Sequence, residues 1–485
     1  MAVSRVVGIG LVAGVIAATG QAPLSAWPLT LAALVYIFHL FDSLSGPRAA
    51  GWLGWGFGAG YFASALLWIV EPFLVDVPRH GWMAPFALVF LSGGLALLFA
   101  LPFWLAGRLK LGVLGLVALW SAAEMLRGVL FTGFPWAALG HVWIGSPVAQ
   151  LAGLFGAHGL TVLLLLCAAL PTILPRDWGT LAAVALVAVS WTFGLVQMTV
   201  PVPTETHVRL IQPNASQELK WRPDMIPVFF QRALDLTAAQ DGPAPDLVIW
   251  PETSVSHEMA GDPVTRARMS QAAVGVPVIF GANVFTVDGA FNTLAVLDGS
   301  GEIAERYAKH HLVPFGEYIP FAPVLGSVGI RGLADVSVRG FSKGTGPSLL
   351  DIPGVGRALP LICYELIFPR NLRVPERAKL IVQITNDAWF GDLTGPYQHL
   401  AQARLRAIEQ GLPVLRAANT GVSAIIGPQG RIMAQADLGQ AARVDGRLPA
   451  ALPPTLYSIS GDLPVQLLVT LLLVLGVARR RALGG

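Results

Sequence analysis

Charge is what this sequence has least of. Lys, Arg, Asp and Glu make up 13% of its 485 residues, while 54% are hydrophobic; an ordinary soluble domain carries roughly 25% charged residues. A wholly soluble globular chain is thereby excluded, and much of this one must lie in lipid. Cysteine is scarcer still: Cys167 and Cys363 are the two present, too few for a disulfide framework. Cys167 lies in the run GLTVLLLLCAALPTIL and reads as a small membrane-buried hydrophobe. The H-E-x-x-H and C-x-x-C spacings of metal sites are missing, so the adjacent His310 and His311 have no partner pattern, and neither metal nor cofactor is expected. Heptads, internal repeats and low-complexity tracts are missing too. A net charge of +3 is small for this length and argues against a nucleic-acid partner.

What the chain does have is long apolar runs. A membrane helix needs about 20 mainly apolar residues, and seven such stretches lie near 5–20, 24–43, 52–70, 82–106, 111–131, 150–173 and 179–198. An eighth, LPVQLLVTLLLVLGV, closes the chain before Arg479, Arg480 and Arg481. The first run has the outline of a cleavable signal peptide, but the second begins almost at once and leaves little mature sequence between them. With an inside start, the inner loops hold Arg5, Arg48, Arg108, Lys110, Arg176 and the terminal arginines; the outer loops hold Arg79, plus Arg127 at the end of a span. That positive-inside bias predicts eight helices with both termini in the cytoplasm. The expected division is a seven-helix membrane domain over 1–204, an extracytoplasmic domain over 205–460, and a C-terminal helix with an Arg-rich cytoplasmic tail over 461–485.

The long segment has a different texture. HVRLIQ, DLVIW, PVIFGA, NTLAVLD, LPLICY and LIVQIT read as buried strands; RPDMIPVFFQRALDLTAAQ, DPVTRARMSQAAV and GPYQHLAQARLRAIEQG read as helices. Together they predict one α/β domain with helices covering sheet faces. Three strand ends deliver reactive groups, which is where α/β sheets gather their sites. DLVIWPET ends at Glu252, RYAKHHLVPFGEYIP carries Lys309 and Glu317, and LPLICYE ends at Cys363 with Glu365 just beyond. The set suits acyl transfer through a covalent intermediate. A thiol of ordinary pKa about 8.5 is only a few per cent thiolate at neutral pH and needs a base such as Glu252. Lys309 could stabilise an oxyanion, and Glu317 could fix the lysine or relay protons. Each residue also has a plain alternative: a structural Cys at a strand end, a loop or capping Glu, a Lys on a solvated face.

WPET, KHHLVPFGEYIP, LICYE and TNDAWFG resemble the carbon–nitrogen hydrolase (nitrilase) superfamily, whose Glu-Lys-Cys triad sits on an αββα sandwich. Together with the surrounding spans, they resemble its membrane branch, the apolipoprotein N-acyltransferases. Further matches are GQAP at 20–23, GFPW at 133–136, NASQELKW at 214–221 and the stretch 390–421. The resemblance implies Glu252 as general base, Lys309 as oxyanion-stabilising lysine and Cys363 as acyl-accepting nucleophile, with supporting roles for Trp221, Glu317, Tyr364 and Glu365. NASQELKW keeps the Asn, Gln, Lys and Trp but differs between them, and RAANTG is less polar than in some relatives. The implied reaction passes an acyl chain from a membrane phospholipid through a Cys363 thioester to the α-amino group of the diacylglyceryl-cysteine of an apolipoprotein. It would be carried out by a monomer in the bacterial inner membrane, with its catalytic domain periplasmic.

Two expectations and two rivals complete the picture. The Gly-rich apolar stretch 321–346, between the lysine motif and the cysteine strand, is long for a loop and reads as a lid admitting acyl chains, against an ordinary long surface loop. Trp221 would pack against an acyl chain or headgroup, against a core tryptophan in the opening helix. A membrane-tethered amidase or nitrilase, in which water resolves the thioester, would use the same triad. A transporter or lipid-binding scaffold would need ionisable residues inside the spans, where Glu124 is the one good candidate and Arg127 can pair with it.

Overall fold

The computed structural model describes residues 2–320 and 340–484; most of the expected lid, 321–339, lies outside them. Eight apolar helices occupy the positions of the eight runs: α1 Val3–Ala18, α2 Trp27–Ser43, α3 Pro47–Ala65, α4 Ala84–Arg108, α5 Gly112–Arg127, α6 Ala152–Ile173, α7 Arg176–Gln197 and, closing the chain, α11 Leu463–Gly484. Among the described residues four helices are long and apolar enough to cross a bilayer unaided, at Val77–Arg108, Pro147–Ile173, Arg176–Gln197 and Leu463–Ala482. Small residues let the helices close on one another, as in lipid, where packing rather than hydrophobicity joins them. Gly10 and Gly14 of α1 face Gly56 and Gly60 of α3, and a Cβ on Gly14 would lie 2.1 Å from the Phe57 carbonyl oxygen.

The third apolar run does not continue as one helix. α3 stops at Ala65 and the chain turns by 64° into Leu67–Leu74. The Ile69 amide, which a continued helix would aim at Ala65, bonds the Leu66 carbonyl at 2.9 Å. The Ala65 carbonyl accepts instead from Gln398 Nε2 of the following domain at 3.0 Å. The bend turns Trp68 inward onto Trp136 and Phe390, with ring centroids 4.5 and 4.9 Å away.

The second region is a two-sheet sandwich with a helical layer on each outer face. One sheet has the order β12-β1-β2-β3-β4-β5, the other β11-β10-β9-β8-β7-β6. The strands are β1 Pro203–Gln212, β2 Leu247–Ile249, β3 Val278–Thr286, β4 Gly289–Leu297, β5 Ile303–Ala308, β6 Leu350–Ile352, β7 Gly356–Ile362, β8 Leu380–Thr385, β9 Val414–Ala418, β10 Ala424–Ile426, β11 Ile432–Gln435 and β12 Ala442–Pro449. The middle strands β1 to β3 and β7 to β9 run parallel. They read as continuous apolar runs because both faces are covered. Leu247 and Ile249 point into the core between the sheets. Val248 and Trp250 alternate to the outer face, under α8 (Ile226–Ala238) and α9 (Pro263–Ala272). On the other sheet Leu359, Leu361 and Ile381 meet Leu400 and Ala403 of α10, Gly395–Gln410. The expected αββα layering is thus present, and all six expected strands and three expected helices form.

Candidate active site

Three strand ends converge, two from parallel strands and one from the antiparallel edge strand β5. β2 ends at Ile249 and the chain runs through Trp250 and Pro251 to Glu252; Lys309 follows β5 directly; Cys363 follows β7. LPLICY does not continue as a strand through the cysteine. The strand stops at Ile362, and Cys363 opens a short 3-10 turn with φ +49, a left-handed conformation that non-glycine residues adopt rarely and mostly where function demands it.

Lys309, Glu252 and Glu317 form one buried cluster. Lys309 Nζ lies 2.9 Å from Glu317 Oε1 and 3.8 Å from Glu252 Oε1. Asn292 Nδ2 donates to Glu252 Oε1 at 2.7 Å and to Glu317 Oε1 at 3.2 Å, and the Asn386 amide donates to Glu252 Oε2 at 2.8 Å. Glu317 Oε2 accepts from the Val313 amide at 2.8 Å. Lys309 is 1% exposed. Burial alone would drive its pKa down, but Glu317 and Glu252, with Cys363 adding, hold it well above the ordinary lysine range. The Cys363 thiol is pushed above its ordinary value, first by burial and then by Glu252, with Lys309 opposing. The resting sulfur is therefore a protonated thiol beside a cation and a carboxylate. That is an arrangement for making a thiolate on demand and for stabilising an oxyanion.

Glu365 lies behind this cluster. It is fully buried, and both its oxygens are taken by protein groups. Oε1 accepts from the amides of His310 at 2.8 Å and His311 at 3.1 Å, Oε2 from the Ile362 amide at 2.9 Å, and Tyr307 Oη lies 3.0 Å from both. It thus ties the turn after Lys309 to the turn bearing Cys363. Burial would raise its pKa, but His310 and these amides bring it below the ordinary value. Tyr364 is buried, its hydroxyl 3.4 Å from the Gly133 carbonyl oxygen. Trp221 is not a core residue: it is 42% exposed and precedes α8.

Several contributors lie within or beside the matched stretches TNDAWFG, NASQELKW and 390–421, where the sequence alone assigns them no role. A second network holds the Cys363 carbonyl: Gln383 Nε2 approaches it at 3.4 Å and His399 Nε2 at 3.2 Å. His399 Nδ1 is 2.9 Å from Asp387 Oδ1, and Arg416 pairs with Asp387 Oδ2. Burial would raise Asp387; Arg416 and His399 instead hold it at about 2, while burial, then Arg416, lowers His399. A neutral imidazole that donates from Nδ1 to Asp387 accepts at Nε2 from Gln383 Nε2, 3.0 Å away, so the hydrogen bond on the Cys363 carbonyl comes from Gln383 while His399 packs beside it. Lys220, 5% exposed, donates to the Glu252 carbonyl oxygen at 3.2 Å and to Thr253 Oγ1 at 2.7 Å. Among the described residues no group of three or more His, Cys, Asp or Glu is placed to hold a metal.

Residues 197–445 match the carbon-nitrogen hydrolase family model, and residues 13–170 match the apolipoprotein N-acyltransferase N-terminal domain. A protein of Rhodopseudomonas palustris named apolipoprotein N-acyltransferase is 36% identical, the match covering 98% of this chain and 95% of that one. One of the same name from Bradyrhizobium diazoefficiens is 37% identical over the same shares. A solved CN-hydrolase superfamily protein of Xanthomonas campestris is 21% identical with a TM-score of 0.39, covering 54% of this chain and 96% of that one. With relatives this similar along nearly its whole length, the chain belongs to the apolipoprotein N-acyltransferase family of the carbon–nitrogen hydrolase superfamily.

Proposed function

We propose that this protein moves an acyl chain from a membrane phospholipid to the α-amino group of the diacylglyceryl-cysteine that begins an apolipoprotein, by way of a thioester on Cys363. The observation that carries the proposal is the meeting of Cys363, Lys309 and Glu252 at the ends of β7, β5 and β2, on a domain packed against apolar helices. Glu252 takes the thiol proton as Cys363 Sγ attacks the ester carbonyl, and Lys309 stabilises the oxyanion. The intermediate collapses by breaking the ester C–O bond, and the lysophospholipid alkoxide recovers the proton from Glu252. In the second half the acceptor amine gives a proton to Glu252 and attacks the thioester carbonyl. The C–S bond breaks, and the Cys363 thiol re-forms with that proton.

The proposed setting is the bacterial inner membrane, with eight crossings, both termini cytoplasmic, and residues 205–460 periplasmic between the helices of 1–204 and of 461–485. In that scheme residues 20–25, the bend at 65–67 and residues 132–145 all lie on the outer side. Support comes from their shared contact with the sandwich: Ala65 and Trp136 bond Gln398, and Gln21 and His141 line a cavity of about 180 Å³ with Gln398 and Gln402.

The test is the intact mass of the protein incubated with phospholipid alone, beside Cys363→Ala. The expected result is an added acyl mass on the parent only, released by a diacylglyceryl-cysteine peptide that becomes triacylated. Release of free fatty acid with the peptide unchanged would favour a membrane-tethered hydrolase. No adduct on folded parent protein would refute the acyl-enzyme.

A further inference from the structure

Lys220 stands apart from the paired charges of the site. Among the described residues its ammonium forms no ion pair, and it spends its hydrogen bonds on the Glu252 carbonyl oxygen and the Thr253 hydroxyl. Burying an ammonium without a bonded counter-ion is costly. Burial brings Lys220 down to about 8, with Glu252 the charge opposing the fall. Packing alone would be served better by a methionine or leucine.

The backbone it grips is under unusual constraint. Thr253, next after Glu252, sits at φ +47, a left-handed conformation. Gly281 of β3 presses on the same two residues so closely that a Cβ there would lie 2.5 Å from the Thr253 nitrogen and 2.7 Å from Glu252 Cα. We propose that Lys220 is a positioning residue for the base, its ammonium clamping the Glu252–Thr253 backbone against β3 in the one conformation that presents the carboxylate to Lys309, Asn292 and Asn386. The inference rests on the acyl-enzyme reading and extends it to a group outside the Glu-Lys-Cys set. Around Lys220 the walls formed by Pro213, Trp221, Phe229, Phe230, Met259 and Asn419 carry no charge, and Glu252 is the ionised group acting on it.

The experiment follows Cys363 acylation by phosphatidylethanolamine in detergent micelles from pH 6 to 10, by intact mass, for the parent, Lys220→Met and Thr253→Val. Cys363 alkylation by iodoacetamide at pH 7 is followed in parallel by peptide mass, which separates it from Cys167. The parent is expected to lose acylation rate as pH rises through about 8, where the ammonium becomes an amine. Lys220→Met is expected to acylate about 30-fold more slowly at pH 7, as for the loss of charged hydrogen bonds, without that alkaline limb. Thr253→Val, which keeps the charge and removes one partner, is expected to lose about 5-fold and to keep the limb. A Lys220→Met protein within about 3-fold of the parent per folded molecule and with the parent's pH profile would overturn the proposal, as would a parent profile flat from pH 7 to 9.5. If the parent forms no acyl adduct, the acyl-enzyme reading falls separately, and the alkylation rates still decide whether Lys220 sets the base: a similar loss in Lys220→Met supports the clamp and an unchanged rate refutes it.

Discussion

Replacing Glu365 by glutamine alters a single atom at the back of the site, and its effect can be worked from the contacts. The carboxylate faces the His310 and His311 amides and the His310 imidazole Nδ1, 2.8 Å away, at Oε1, the Ile362 amide at Oε2, and the Tyr307 hydroxyl shared between them. If the glutamine oxygen keeps the Oε1 position, its NH₂ faces the Ile362 N–H, donor against donor. A hydrogen bond to a charged acceptor, about 1.5–3 kcal/mol, is lost, and a buried amide left unpaired costs about 1–3 kcal/mol more. The expected destabilisation is about 3–5 kcal/mol, read from urea unfolding of the parent and variant in the same detergent. The pH dependence follows from the lowered Glu365 pKa. A carboxylate depressed on folding adds stability above its unfolded pKa, and that stability is lost as pH falls through the folded value. The gap between parent and Glu365→Gln should therefore be full at neutral pH and narrow in acid. A variant within about 1.5 kcal/mol of the parent at pH 7, the least that the lost bond alone accounts for, would refute the tether between the two turns.

Lys309→Met leaves Glu252 and Glu317 buried without their cation, so both acylation and about 3–5 kcal/mol of stability should be lost; a variant that folds like the parent would contradict the shared ion pair. The raised pKa of Lys309 makes its contribution full below its unfolded value of about 10.4 and lost only as pH climbs through the folded value, so the parent should show no loss from this group up to pH 10. Asp387→Asn leaves the Arg416 guanidinium unpaired at full burial, for a loss of about 3–5 kcal/mol. Because Asp387 is held at about 2, its contribution in the parent should persist below pH 4 and fade only as pH drops toward 2, which acid unfolding followed by tryptophan fluorescence would detect.

Where apolar periodicity governed folding, the sequence was legible. LIVQIT coincides with β8 residue for residue, and GPYQHLAQARLRAIEQG with α10 plus the left-handed Gly411 that ends it. Three of the strands that escaped notice show why. β5 and β11 expose one face to water, and their residues alternate in burial, so no continuous apolar run marks them. β9 is fully buried yet contains Arg416, whose charge is answered by Asp387 from another strand end. A buried ion pair formed by chain segments far apart has no signature in either one. The same reason hid Asn292 and Gln383, and the role of Asn386 within TNDAWFG; all are polar, neutral and meaningful only for what lies opposite. The Cys363 and Glu252 positions could be named because each follows an apolar strand, and Lys309 because of the KHHLVPFGEYIP stretch it opens. The conformation of the cysteine could not, since φ +49 goes with contacts made by other residues, the Glu365 bond to the Ile362 amide and the Gln383 bond to the Cys363 carbonyl.

The helical region bears directly on the geometry of the cysteine turn. Gly133 lies so near the turn that a Cβ there would sit 3.1 Å from the Phe368 ring, its carbonyl is within reach of the Tyr364 hydroxyl, and Arg370 donates to the Thr132 carbonyl oxygen at 2.6 Å. Trp136 then lays its ring 5.5 Å from His399, the imidazole that approaches the Cys363 carbonyl, and fixes Gln398 through its indole N–H at 2.7 Å. Trp68, brought in by the bend after α3, closes against both Trp136 and Phe390. Two apolar-helix connections therefore press on the elements that shape the nucleophile's turn. A sandwich cut away from them would expose these tryptophan-facing surfaces and release one wall of the cysteine turn. The bundle thus does more than hold the sandwich at a lipid surface: it forms part of the wall that holds the nucleophile's turn in a conformation the cysteine alone would not adopt.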